Sequence, residues 1–142
     1  MSEKKWAEQA LESFDAVVAS IPGFRIREGQ RQMAAHIAHT LAQAQLGKVE
    51  EGAPEPKKSI AVVQAGTGVG KSLAYSAPAI AMALARGTRV VISTATVALQ
   101  EQLVNKDLPA LAQQLPTPFK FALAKGRGRF AKVAVRNIRR DA

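Results

Sequence analysis

The sequence predicts an α/β fold with a parallel sheet, and three observations carry that prediction. SIAVVQAGTGVGKS at 59–72 sets a short apolar run against a glycine-rich turn. An uncharged, alanine-rich stretch follows it at 72–85, and a second short apolar run, TRVVIST, stands at 88–94. Strand, helix and strand in that order form a βαβ unit. Such a unit is right-handed in nearly every case and takes its ligands beyond the carboxyl ends of its strands.

Size and composition agree. A chain of 142 residues with 47% hydrophobic content is long enough for one ordinary domain with a core. No stretch approaches the roughly 20 apolar residues of a membrane span, and MSEKKWAEQA lacks a signal-type apolar segment. No membrane partner is therefore expected, and a soluble cytoplasmic chain is. Without cysteine there is neither a disulfide nor a thiolate ligand. The net charge of +9 is concentrated at 118–142, which holds eight Lys or Arg against one Asp. A basic run of that kind points to a polyanion, with a solvated surface run as the plainer alternative.

Taken in order, Glu3 to Ser20 spaces Trp6, Leu11, Phe14, Val17 and Val18 near the helical period and stops at Ile21, Pro22 and Gly23. Phe24 to Gly47 repeats Met33, Ile37 and Leu41 every four residues, predicting a second helix that Gly47 ends. His36 and His39 have no third ligand near them in sequence and are read as ordinary helix histidines rather than a metal pair. Lys48 to Lys58 is a polar loop. Ser59 to Gln64 predicts a buried strand, being too short for a helix and rich in β-branched residues.

The turn that follows predicts a phosphate-binding loop. Gly66, Gly68 and Gly70 accept dihedrals closed to other residues, so the backbone N–H groups of Ala65, Gly66, Thr67, Gly68, Val69 and Gly70 can face phosphate oxygens. Lys71 then reaches the β- and γ-phosphates and Ser72 holds Mg²⁺, at the positive end of a helix over 72–85 that Pro78 is expected to kink. Gly87 stops that helix, and Thr88 to Thr94 predicts the second buried strand. Thr96 is a helix N-cap, Leu99, Leu103 and Val104 give the next helix its apolar face, and Pro109 limits or kinks it. Phe119, Phe121 and Leu123 alternate with Lys120, Ala122 and Ala124 as a third strand with one covered face. The strand runs into Lys125, Arg127 and Arg129, whose charges interleave with glycines as a phosphate-rich partner requires. From Ala131 onward no structural signal stands out.

Three stretches together resemble one family. Arg27, Gln30 and Met33 in the pattern RxxQxxM, AGTGVGKS at 65–72, and STATVALQEQLVNKDLP at 93–109 are similar to the N-terminal part of DinG-type superfamily 2 DNA helicases, relatives of the XPD helicases. LAKGRGRF at 123–130 resembles the entry to their iron–sulfur domain. The resemblance implies ATP hydrolysis driving five-prime to three-prime unwinding, with ATP and Mg²⁺ as cofactors and DNA, single-stranded by preference, as partner. It implies a nucleotide site that includes Arg27 and in which Gln30 reads adenine, because a carboxamide pairs bidentately with that base's edge. It also implies that Thr94, Thr96 and Gln100 hold the DNA backbone. Two departures accompany it. No cysteine follows Phe130, so this chain builds no iron–sulfur cluster, and none of its aspartates, Asp15, Asp107 and Asp141, ends an apolar strand as an acidic motif of Walker B type would.

The expectation is thus a P-loop NTPase of partial, truncated RecA-like form, with an N-terminal helix at 1–23, an ATP-binding lobe at 24–130 and a basic tail at 131–142. Such a fragment is expected to lack activity by itself, its oligomeric state left open. A stand-alone module that binds nucleotide and nucleic acid without hydrolysis is the alternative. A small kinase on the same loop would need an acceptor pocket and lid that the sequence does not display.

Overall fold

The computed structural model describes residues 2–25, 27–47, 49–66, 70–125 and 131–137. Three helices form one layer: α1 (Glu3–Ser20), α2 (Glu28–Ala42) and α3 (Lys71–Arg86). Ser2 caps α1 by accepting a hydrogen bond from the Lys5 N–H at 3.3 Å, and Gly23, at φ 73°, turns the chain out of it. All three helices pack on one another. Phe14, Val17 and Val18 of α1 meet Ala34 of α2 and Leu73, Ala74, Ala77 and Ile80 of α3 in the main core. Ala7, Ala10, Ala38 and Ala42 with Met82 form a second cluster, whose small side chains let the helices approach closely.

The second helix ends at Ala42, five residues before the expected stop at Gly47. The reason is Arg86, whose guanidinium donates to the Leu41 carbonyl at 3.3 Å and to the Ala44 carbonyl at 2.7 Å. It satisfies end-of-helix acceptors that a glycine turn would otherwise serve. The third helix runs unbroken through the fully buried Pro78, although the ring leaves the Ala74 carbonyl without its usual helical donor. Gly87, at φ 69°, closes it as expected.

After Gly87 come β1 (Arg89–Thr94), α4 (Val97–Gln102), a π-helical turn (Leu103–Asp107), α5 (Leu108–Gln114), β2 (Phe119–Lys125) and β3 (Ala131–Asn137). The sheet has the order β1-β3-β2 and is antiparallel throughout, with Ile92 opposite Val133 and Phe121 opposite Val135. This corrects two expectations: the sheet is antiparallel rather than parallel, and the stretch from Ala131 contains a strand, which lies between β1 and β2. Its signal was the alternation of Lys132, Ala134 and Arg136 with Val133 and Val135. Consecutive strands joined by so short a link can pair only antiparallel, since a parallel pair needs a crossover of a dozen or more residues.

The strand expected at Ser59–Gln64 is absent from the sheet. No ladder includes it, and Ile60 and Val62 are 82% and 87% exposed. An apolar run becomes a buried strand only when neighbours cover both its edges and its faces, and none of the described strands does so. The βαβ unit is accordingly not formed. Nor is β1 buried on both faces: Ile92 and Thr94 point into the core while Val91 is exposed. Ile92 and Phe119 join the main core together with Leu103, Leu108, Leu111 and Leu115.

Candidate functional site

The site begins at Gly70. Its backbone lies in the left-handed region, φ 79° and ψ 46°, where it caps the N-terminus of α3. Its carbonyl accepts from the Ala74 N–H at 3.2 Å, the first bond of that helix, and from Gln30 Nε2 at 3.1 Å. A side chain here would be strained by the φ angle, and its Cβ would run into the Gln30 amide. The φ angle is what selects glycine here, and any other residue would also have to displace the end of the Gln30 side chain. Lys71 and Ser72 open a helix of 16 residues, long enough for its free N–H groups and dipole to favour an anion. Lys71 is exposed, whereas Ser72 is 6% exposed and its carbonyl accepts from the buried Ser76 hydroxyl.

Gln30 is fully buried, and only one half of its amide is used. Nε2 bonds to Gly70 while Oε1 has no partner among the described residues. Nε2 keeps a second N–H, so bidentate reading of adenine is not blocked by the bond to Gly70; it needs the buried side chain to be reached by a base. Arg27 stands exposed at the N-cap position of α2, with its carbonyl accepting from the Arg31 N–H. Of the loop, Ala65, Gly66 and Gly70 are described, and Thr67, Gly68 and Val69 lie outside the described residues.

At the far end of β1, the buried Thr94 hydroxyl is without a partner among the described residues. Thr96 is exposed and caps α4, its hydroxyl accepting from the Leu99 N–H at 3.2 Å, as its sequence position predicts. Gln100 is 5% exposed and so is turned inward rather than presented to a ligand. Lys125 ends β2, and Arg127 and Arg129 lie outside the described residues.

Two residues that the sequence reading passed over join these regions. Burial raises the pKa of the Tyr75 phenol, one turn into α3; the Ser72 side chain opposes this and the Asp107 carboxylate adds to it. Asp107, in the π-helical turn, is 8% exposed. Burial lifts its carboxyl above the ordinary range, against the Gln102 side chain, which donates Nε2–H to Oδ2 at 3.4 Å, and the neighbouring Lys106. A charged residue between the buried Leu103 and Leu108 was the available signal, because isolated charges are rare at such depth.

The donor set fits a phosphorylated ligand: a left-handed glycine, free N–H groups at a long helix's start, an exposed ammonium and a serine hydroxyl. A divalent cation there would neutralise phosphate charge. Among the described residues no helix is long and apolar enough to cross a membrane.

Comparison with known proteins agrees with this chemistry. The chain is 46% identical over 110 residues to the ATP-dependent DNA helicase DinG of Photobacterium profundum, a match covering 78% of this chain and 15% of that protein. It is 48% identical over 114 residues to the ATP-dependent helicase DinG of Mycobacterium tuberculosis, again 78% and 15%. With the ATP-dependent DNA helicase DinG of Escherichia coli it shares 44% over 125 residues, 88% and 15%. The chain thus spans about 15% of the length of these relatives. No solved structure matches it. The model of the DEAD/DEAH box helicase family matches residues 29–126, a span that holds Gln30, the glycine-rich loop and Thr94 to Gln100, and the chain belongs to that family.

Proposed function

We propose that this chain is the N-terminal, nucleotide-binding part of an ATP-dependent DNA helicase of DinG type. In the whole protein, ATP hydrolysis is coupled to five-prime to three-prime unwinding of DNA. The observation that carries the reading is the cap at Gly70, where Gln30 and the phosphate-loop helix meet in one bond inside the matched family segment. Lys71 supplies the point charge for the β- and γ-phosphates, and Ser72 supplies the oxygen for Mg²⁺. Gln30 Oε1, buried and unpaired among the described residues, suits the amino group of adenine, with Arg27 at the same helix start. Thr94 and Thr96, with Lys125, Arg127 and Arg129, hold a single DNA strand through its phosphates, and Gln100 supports that turn from within. In the whole protein, a cytoplasmic one on this reading, Ser59–Gln64 joins the parallel sheet of a RecA-like lobe and gains there the cover it lacks here.

Titration calorimetry of Mg-ATP with the wild type and Lys71→Ala tests the proposal. The wild type should bind and the variant should lose most of that affinity, since the ammonium is the main counter-charge of the phosphates. Equal affinities would remove the loop from the nucleotide site.

A further inference from the structure

The three strands carry five Lys or Arg and no Asp or Glu: RVVIST in β1, FKFALAK in β2 and AKVAVRN in β3. Successive residues of a strand belong to opposite faces of its sheet, and here the two faces divide cleanly. Ile92, Thr94 and Phe119 are buried, with Val90 and Phe121 packed against the core, whereas Arg89, Val91 and Ser93 of β1 and Lys120, Ala122 and Ala124 of β2 are exposed. The outer face is thus open to solvent. Arg89 stands opposite Arg136, and Arg136 opposite Lys120, so three basic residues occupy one level of the ladder on that face, strand beside strand at about 5 Å. Lys132 takes a further position on the same face, between Ser93 and Ala124. Like charges directly opposite one another weaken a sheet. Neither Arg89 nor Lys120 has an acidic partner among the described residues, where the ion pairs are Lys4 with Glu8 and Arg31 with Asp15. A row that costs stability and receives no counter-charge from the protein is complementary to a polyanion.

We propose that the outer face of the sheet is a second nucleic-acid surface, on which Arg89, Lys120 and Arg136, with Lys132, hold the phosphate backbone. It lies apart from the contacts assigned above. Thr94 and Lys125 are both opposite Ala131 at the other end of the strands, five residues or about 17 Å along β1 from the level of Arg89. The face is not built to read bases. Phe119 and Phe121 turn to the core, so among the described residues it offers no aromatic platform for stacking, while Ser93, Ala122 and Ala124 are short enough for a backbone to come close. A lipid surface suits it less, because Val91 is its one large apolar side chain among the described residues. The partner is a nucleic acid bound through its phosphates, with little preference for sequence.

Fluorescence anisotropy of the whole chain with a labelled single-stranded DNA of mixed sequence, in the absence of nucleotide, tests this. Arg89→Gln/Lys120→Gln/Arg136→Gln should bind more weakly than wild type and reduce the slope of log affinity against log salt by about 2, three phosphate contacts at about 0.7 each. Lys4→Gln/Lys5→Gln/Arg25→Gln removes the same charge from exposed positions outside the sheet and should leave the slope unchanged. Equal losses in the two variants would mean that net charge alone attracts DNA and would overturn the surface. Because the first variant relieves repulsion, its thermal midpoint should equal or exceed that of wild type, and a clearly lower midpoint would remove the repulsion on which the proposal stands. Lys125→Gln/Arg127→Gln/Arg129→Gln separates this face from the basic run: a slope reduced there and unmoved by the face variant would keep that run on the DNA path and overturn the proposal. Preference of the wild type for phosphatidylserine vesicles over the DNA would overturn it as well.

Discussion

Asp107 shows how one residue can set a stability profile. Burial raises its folded-state pKa above the unfolded value, so the folded chain binds the extra proton more readily than the unfolded chain. Stability therefore falls as pH rises through the interval between the two values, because there the native state holds more protons than the unfolded state. Below that interval both states are protonated and the cost vanishes. Asp107→Asn should accordingly stabilise the fold at pH 7 relative to wild type and change little at pH 3. Urea midpoints of both proteins at the two pH values would check this, and a larger gain at the acid end would refute the sign. Gln30 offers the contrasting case of a buried polar side chain whose cost is half offset, by the one bond to Gly70.

Among elements, the segment from Thr96 to Gln114 is the most instructive. A straight helix through it would place the Pro109 ring against the Asn105 carbonyl, and no N–H would be left to serve that oxygen. The chain instead widens into a π-helical turn, with the Leu108 N–H bonded to the Leu103 carbonyl, and Pro109 falls within the first turn of α5 where its missing donor is harmless. Because α4 is only six residues long, its cap weighs heavily. Thr96→Ala should cost about 1 kcal/mol of unfolding free energy and Thr96→Ser close to none, read from denaturant titrations. Most of this tier was legible in the sequence. The Thr96 cap, the stop at Gly87 and the strand from Phe119 are local signals, and each lies where its residues put it, although the covered face reaches only Phe119 and Phe121 and leaves Leu123 exposed. The start of α3 at Lys71, directly after Gly70, was legible for the same reason, as a glycine-rich turn running into a helix. The end of α2 at Ala42 and the bond from Gln30 to Gly70 were not, because each depends on a contact that spacing does not encode, at a separation of 40 residues or more.

Across the whole molecule, the helical layer is closed and the sheet is not. Ile60 and Val62 stand in water at 82% and 87% exposure, and Val91 on the edge strand β1 is 64% exposed. Apolar surface of that kind, next to an unpaired strand edge, favours association between copies, which the net charge of +9 only partly opposes. Ile60→Lys/Val62→Lys should lower light scattering at high protein concentration and leave the thermal midpoint within the small change typical of surface substitutions. A large drop in the midpoint would mean that these side chains are covered in solution. The parallel order expected from sequence failed at this scale because a sheet is a property of all its strands together, and among the described residues Ser59–Gln64 has no strand paired with it. The helical layer, by contrast, is tied at one point: the Arg86 guanidinium lies 4.2 Å from the ring centre of Trp6 while holding the carbonyl end of α2. Trp6 is the chain's one tryptophan, so its fluorescence reads the parting of three helices as a single optical event.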